Sequence, residues 1–263
     1  MLRYPRTPHV EGSRQQVGDS DVAMIPFVEL EGRHLVVEEK LDGANAAVRF
    51  EGRELVLQSR GHVLDGGPRE RHFDLFKRWA HAHRDALFSV LGTRYVAYGE
   101  WMHARHTIYY DALPHWWLEF DVLDREEDVF LSTARRRALL AGSPIVSVPV
   151  LHEGALADRA ALEALVRPSR AKSGAWRAAL QRAIARSGVR DVERAVRETD
   201  PSDLAEGLYI KVEDEARVVA RAKWVRGTFL QAVDQSGSHW LSRPIVENAL
   251  APGVDPFAHV GAS

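Results

Sequence analysis

The sequence predicts an α+β fold, with antiparallel sheets, flanking helices and a helical insertion, and three observations carry that prediction. Between residues 34 and 123, short β-branched and aromatic runs alternate with Gly-bearing turns. Between about 131 and 200 the chain becomes rich in Ala, Arg, Leu and Glu. From Gly207 the strand pattern returns. Strands on both sides of a helical stretch imply one domain, 1–263, with an insertion at about 131–200 and a short tail at 227–263.

The elements follow in order. Residues 1–33 carry Pro5, Pro8 and Pro26 among many polar residues and read as irregular. Residues 34–39 form an apolar strand, and the turn Leu41-Asp42-Gly43 separates it from an extended run at 44–50. Glu51-Gly52-Arg53 is a hairpin-type turn into a third strand at 54–58. Phe73, Phe76, Trp79 and Ala80 recur at helical spacing and predict a helix over 72–91. Residues 95–101 and 116–123 are aromatic and β-branched strands. In the insertion, Ser132 or Thr133 caps a helix, and 156–166, 173–187 and 189–198 read as further helices. Strands return at 208–212 and 218–224, and 244–250 reads as a last short helix.

Composition excludes several classes. The 263 residues are 45% apolar and 27% charged, an ordinary globular balance. With net charge −2, any contact with nucleic acid must use a local patch rather than the chain as a whole. No cysteine is present, which rules out disulfides, thiolate zinc sites and cysteine nucleophiles, and fits a reducing compartment. No apolar run reaches the ~18 residues of a membrane span, and the first residues lack the apolar core of a secretory signal.

The sharpest local feature is Glu39-Lys40-Leu41-Asp42-Gly43-Ala44-Asn45. A lysine ends an apolar strand and enters a Gly turn, with a carboxylate two residues on and an amide five residues on. A strand end holds a side chain rigidly, which suits a nucleophile. On this segment alone, a plain surface Asp-Gly turn reads at least as well. Four further segments add chemistry: Ser59-Arg60-Gly61, Tyr98-Gly99-Glu100-Trp101, Glu119-Phe120-Asp121, and Glu206-Gly207-Leu208-Tyr209-Ile210-Lys211 with Arg221-Ala222-Lys223. Together they supply an amine, carboxylates for a hard metal, a flat ring for a base and cations for phosphates.

This ordered set resembles the covalent nucleotidyltransferases, the polynucleotide ligases and mRNA capping enzymes. The asparagine at Asn45, and spacings of 60, 20 and 86 residues from Lys40 to Glu100, Phe120 and Glu206 in turn, are most similar to the phage RNA ligase 2 and kinetoplastid editing-ligase group. The resemblance covers roughly 34–226. It implies an ATP-grasp-like nucleotidyltransferase fold, ATP as nucleotide, Mg²⁺ or Mn²⁺ as metal, and RNA 3′-hydroxyl and 5′-phosphate ends as partners. Residue by residue, it implies that Lys40 attacks the ATP α-phosphorus and that the backbone at Glu39 reads the adenine amino group. Asn45 would lie near the α-phosphate, and Arg60 on the sugar-phosphate or the RNA end. Glu100 would serve the ribose and metal, Phe120 would stack on the base, and Glu206 would bind metal. Lys211 and Arg221 would add phosphate-facing cations. Lys223 would sit on the α-phosphate, its charge helping to depress the Lys40 pKa. Separate enzymes that heal RNA ends, a cytoplasmic setting and no membrane complete the expectation. Rival expectations are a DNA ligase, a GTP-dependent capping-type transferase, and a non-catalytic nucleotide- or RNA-binding protein.

Two features depart from the pattern. Arg221 stands where the related group commonly has lysine, and Arg is a rigid fork rather than a point charge. Only 40 residues follow Lys223, too few for an OB barrel. The stretch from Arg167 to Arg197 holds nine Lys/Arg against Asp191 and Glu193. A phosphate-tracking patch, with Arg190, Arg194 and Arg197 on one helical face, and an ordinary solvated face stand level as readings of it. The pairs His103/His106 and His81/His83 lack accompanying cysteines and read as structural, and the tryptophans read as core. Arg3-Tyr4-Pro5-Arg6-Thr7-Pro8 fits no motif, and one reading has it pack over the nucleotide pocket.

Overall fold

A computed structural model describes residues 2–15, 21–236 and 244–258. In chain order its elements are β1 (His9–Val10), β2 (Met24–Ile25), β3 (Leu35–Lys40), β4 (Ala44–Glu51), β5 (Glu54–Ser59), α1 (Asp74–Ala82), α2 (Arg84–Leu91), β6 (Tyr95–Trp101) and β7 (Trp117–Asp124). There follow β8 (Val129–Phe130), α3 (Thr133–Leu140), β9 (Val146–Ser147), β10 (Val150–Gly154), α4 (Arg159–Glu163), α5 (Trp176–Arg186), α6 (Val192–Arg197), β11 (Gly207–Glu213), β12 (Val218–Val225) and α7 (Gly227–Ser236). The first sheet runs β10-β3-β11-β12-β1-β2 and the second β5-β4-β6-β7-β8, with β9 beside β7. The main pairings are antiparallel, and β1 joins both of its neighbours in parallel. Neither sheet closes into a barrel.

The α+β expectation holds, with local differences. The helix expected over 72–91 is two helices that break at His83, whose ring lies 2.9 Å from the carbonyl of Pro256. Both bury the same side, through Phe76, Trp79, Leu87 and Leu91, so one periodicity runs across the break. The helix expected over 156–166 shrinks to Arg159–Glu163, capped by the Asp158 carboxylate. Residues 244–250 form isolated bridges to Ala104 and Leu113 instead of a helix. Asn248 holds them there, accepting from the Tyr110 amide and donating to the Met102 carbonyl. The last helix is α7, inside the segment read as tail. The insertion contains β10, which lies along the edge of β3, and the N-terminal residues read as irregular supply β1 and β2. Among the described residues, no helix is long and apolar enough to cross a membrane.

The core lies in layers about the two sheets. Phe76, Trp79, Leu87 and Leu91 from α1 and α2 cover the outer face of the second sheet with Trp101 and Trp117. Leu35, Val37, Leu208, Ile210 and Ala222 cover the outer face of the first, under Leu162 of α4. The inner faces of the two sheets bound a cleft, whose apolar lining is Ala47, Val96, Tyr98 and Phe120. Charged residues fill the remainder of the cleft.

Candidate active site

Strand alternation decides which residues reach the cleft. Lys40 and Glu38 share one face of β3, and Glu39 points the other way with Leu35 and Val37. In register, Lys40 pairs with Gly207 and Glu38 with Tyr209, while Tyr209 pairs with Lys223 and Lys211 with Arg221. Cross-strand partners point to the same side, so Lys40, Tyr209, Lys211, Arg221 and Lys223 all face the cleft. On the second sheet, Asn45 pairs with Glu100 and Tyr98 with Asp121.

Close backbone approach shapes the turn after Lys40. A Cβ on Gly43 would lie 2.6 Å from the Met102 sulfur and 2.7 Å from the Trp101 carbonyl oxygen, so only glycine passes there. A Cβ on Gly207, opposite Lys40, would collide with the Trp224 carbonyl. Asp42 holds the turn: its Oδ2 accepts the Thr107 and Ile108 amides, each at 2.7 Å. The Asp42 amide in turn donates to the Tyr110 hydroxyl at 2.9 Å.

Lys40 Nζ donates to Glu206 Oε1 at 2.6 Å. Burial pulls the Lys40 amine down, but Glu206, Glu100 and Asp42 outweigh it, and the net direction is up. The net direction in the free chain is thus opposite to a depressed Lys40 amine, because three carboxylates surround it. Burial pushes the Glu206 carboxyl up to about 7 against the pull of Lys40 and Lys223. Burial also lifts Glu100 to about 8, aided by Glu206 and Asp42 and opposed by Lys40. Glu100 Oε1 accepts the Gly43 amide at 3.2 Å, and Glu206 Oε2 is buried without a hydrogen bond. A half-buried and a buried carboxyl close enough to repel, the second with a bare oxygen, fit a hard divalent cation. Such a cation takes one or two protein carboxylates beside phosphate oxygens. No group of three or more metal-ligating side chains occurs among the described residues.

Across the cleft, the Phe120 ring stands 6.1 Å from that of Tyr209, tilted by 36°. Sequence reasoning took Phe120 alone, although Tyr209 shares the cleft face of β11 with Gly207 by simple alternation. Next to this pair lies a buried ion network that the sequence did not reveal. Arg136 bonds Glu38, Glu119 and the Phe120 carbonyl; Lys211 bonds Glu38, Asp121 and the same carbonyl; Arg221 bonds Asp121 at 3.0 Å. Three cations meet three carboxylates, all but Arg221 fully buried.

The structure thus brings Lys40, Asn45, Glu100, Phe120, Glu206 and Lys223 to one cleft. Lys211 lies in the ion network with no exposed side-chain surface, so the phosphate-facing cation expected there is already engaged by Glu38 and Asp121. Arg221 is likewise committed, with its guanidinium 3.9 Å from the centre of the Phe130 ring. The Glu39 carboxylate accepts from Ser169 and from the Arg170 amide on the far face of the first sheet, so only its backbone can serve the cleft. Arg60 is exposed in the turn after β5 and forms no side-chain hydrogen bond or ion pair with the described cleft residues.

No curated protein matches this sequence. Among solved structures, a substituted Naegleria gruberi RNA ligase with ATP and Mn is similar, with TM-score 0.53 and 16% identity over 80% of this chain and 54% of that one. A second variant with ATP and Mn gives TM-score 0.52 and 15% identity over 88% and 58%. A third, with AMP and Mn, gives 0.51 and 16% over 78% and 53%. The chain therefore spans little more than half the length of these ligases, and at such identity the likeness concerns the fold. The RNA ligase family profile matches residues 33–225, which include Lys40, Glu100, Phe120, Glu206 and Lys223. A match over that much of the sequence, on a fold shared with solved RNA ligases, makes this chain a member of the RNA ligase family.

Proposed function

We propose that this chain is an ATP-dependent ligase that joins RNA 3′-hydroxyl and 5′-phosphate ends through a lysyl-AMP intermediate on Lys40. The observation that carries the reading is the Lys40 amine held 2.6 Å from Glu206, with Glu100 behind it and Phe120 across the cleft. Once it has lost its proton, Lys40 Nζ attacks the α-phosphorus of ATP. The N–P bond forms, the bond to the bridging oxygen breaks, and pyrophosphate leaves. AMP then passes to an RNA 5′-phosphate, and the 3′-hydroxyl attacks that adenylate and releases AMP. Glu100 and Glu206 would hold Mg²⁺ or Mn²⁺, which supplies positive charge against the phosphate oxygens. Asn45 and Lys223 orient the α-phosphate, and Phe120 gives the base a stacking surface. Incubation with labelled ATP and Mg²⁺, followed by a denaturing gel, tests the class: the label must be covalent and acid-labile. GTP in place of ATP, and matched DNA nicks in place of RNA, separate the capping-type and DNA-ligase readings. In this reading the enzyme works in the cytoplasm, alongside enzymes that heal RNA ends.

Glu100→Gln and Glu206→Gln are expected to abolish or cripple adenylylation while leaving thermal melting near wild type. Burial already disfavours the ionised form of both carboxyls, so a neutral isostere costs the fold little. Strongly lowered melting with activity per folded molecule unchanged would make both residues structural.

The insertion provides the RNA grip in this reading, through a set of arginines that differs from the sequence expectation. Arg194 pairs with Glu198 at 2.9 Å and Arg197 with Glu193 at 3.5 Å, so two of the three expected cations are partly neutralised. Arg182 and Arg186, one turn apart on α5, and Arg190 just beyond it, are exposed and form no salt bridge among the described residues. The helix α5 packs on Tyr109, next in sequence to the Ile108 amide that holds Asp42. The basic surface is thus one layer from the Lys40 turn. Arg182→Gln/Arg186→Gln/Arg190→Gln is expected to keep Lys40 adenylylation, reduce end joining, and lower the salt slope of RNA binding by about 0.7–0.9 for each phosphate no longer neutralised. Unchanged RNA affinity would leave these arginines a solvated face.

A further inference from the structure

The segment ahead of the family match, which begins at residue 33, runs across the nucleotide cleft from one sheet to the other. Leu2 is tied to the second sheet: its amide donates to Gln58 Oε1, and its carbonyl accepts from Gln58 Nε2 at 2.6 Å and from the Tyr98 hydroxyl at 3.0 Å. The Tyr4 ring then enters the cleft, 5.1 Å from Phe120 at 77°, 5.1 Å from Tyr98 and 5.6 Å from Phe130. The Tyr4 hydroxyl lies 2.5 Å from Asp121 Oδ2 and 2.6 Å from the Tyr209 hydroxyl, which is itself 3.0 Å from Thr7 Oγ1. Beyond it the chain reaches the first sheet. The Lys223 amide donates to the Pro8 carbonyl at 2.9 Å, His9 pairs with Lys223, and the Val225 amide donates to Ser13.

The direction of the hydroxyl chain is fixed. Lys211 and Arg221 outweigh burial and hold Asp121 ionised, so it can only accept. Tyr4 therefore donates to Asp121, Tyr209 donates to Tyr4, and Thr7 donates to Tyr209. One chain of hydroxyls thus fastens the two rings that face each other across the cleft. Phe120 is braced by the Tyr4 ring, and Tyr209 is held by the Tyr4 and Thr7 oxygens.

The geometry points to Tyr4 and Thr7 as positioning residues for nucleotide binding, with residues 2–9 forming the inner wall of a base slot lined by Phe120 and Tyr209. This rests on the reading of Lys40 as an ATP acceptor. Without Tyr4, Phe120 loses its edge-on neighbour and Tyr209 its acceptor, and both rings are free to turn into the slot. Base affinity then falls, and the chemistry at Lys40, on the same face of the first sheet but at the strand end, is left intact.

The test measures the initial rate of Lys40 labelling against ATP concentration in the full chain. Tyr4→Ala is expected to raise the KM for ATP by about tenfold, with the labelled fraction at saturating ATP near wild type. Tyr4→Phe, which keeps the ring, and Thr7→Val are expected to raise KM by about two- to fourfold each. A wild-type KM in Tyr4→Ala, or a labelled fraction that falls with melting temperature at unchanged KM, overturns the inference. If Tyr4→Ala does not fold, an unchanged KM in both hydroxyl variants overturns it. Were the wild type itself to take no label, the Lys40 reading would fall instead. The wall is then tested by equilibrium dialysis with ATP, where Tyr4→Ala must bind about tenfold more weakly or the inference fails with it.

Discussion

Lys40→Ala is expected to eliminate covalent nucleotide transfer entirely, with no residual acid-labile label on a denaturing gel. Among the described residues no other amine stands at the end of β3: Lys211 is sealed between Glu38 and Asp121, and Lys223 lies inside β12, opposite Tyr209. Lys40→Arg is expected to fail as completely, because a guanidinium does not give up its proton near neutral pH. Neither substitution threatens the fold, since the Lys40 side chain is a quarter exposed and the turn is held by Gly43 and Asp42. Label on either variant would assign the nucleophile to another residue. Loss of label with end joining of chemically pre-adenylylated RNA retained would place Lys40 upstream of the sealing step, as proposed.

The largest effect on stability is expected at Arg136, a residue outside every motif that the sequence singles out. Its guanidinium is fully buried and spans Glu38 on β3 and Glu119 on β7, so it fastens the two sheets to α3. Burial already drives the Glu119 carboxyl up despite Arg136 and Lys211 beside it. Arg136→Ala leaves two buried carboxylates with a single remaining cation between them, and breaking such a pair costs about 3–5 kcal/mol. Arg136→Lys recovers only part of this, because a point charge cannot fork between two carboxylates. Chemical denaturation reads the loss directly. A variant within about 1 kcal/mol of wild type would show that the network reorganises around the gap.

The core strands β3 to β7, β11 and β12 were readable because each obeys the two-residue alternation and ends in a local turn. Lys40, Glu100, Phe120 and Glu206 were readable through their order and spacing along those strands. The pieces missed depend on partners distant in the chain. β1 and β2 are two residues long and exist only as additions to the sheet, β1 along β12 and β2 along β1. β10 becomes a strand by lying along β3, and the bridges at 247–250 depend on the Asn248 side chain reaching Met102 and Tyr110.

The charges divide in the same way. In the sequence, Arg136 and Glu38 are indistinguishable from the solvated charges around them, and Tyr4 is one aromatic in an arm that fits no motif. Local pattern alone determined the strands and the Lys-x-Asp-Gly turn, because periodicity and turn chemistry act over a few residues, and the candidate site residues came from the order and spacing of the motifs that carry the resemblance. Tertiary structure alone decided that Lys211 and Arg221 bind carboxylates, that Glu39 turns away from the cleft, that Lys40 is held charged by its neighbours, and that Tyr4 enters the cleft. Each of those outcomes depends on desolvation and on charges brought together across two sheets, and neither exists until the chain has folded.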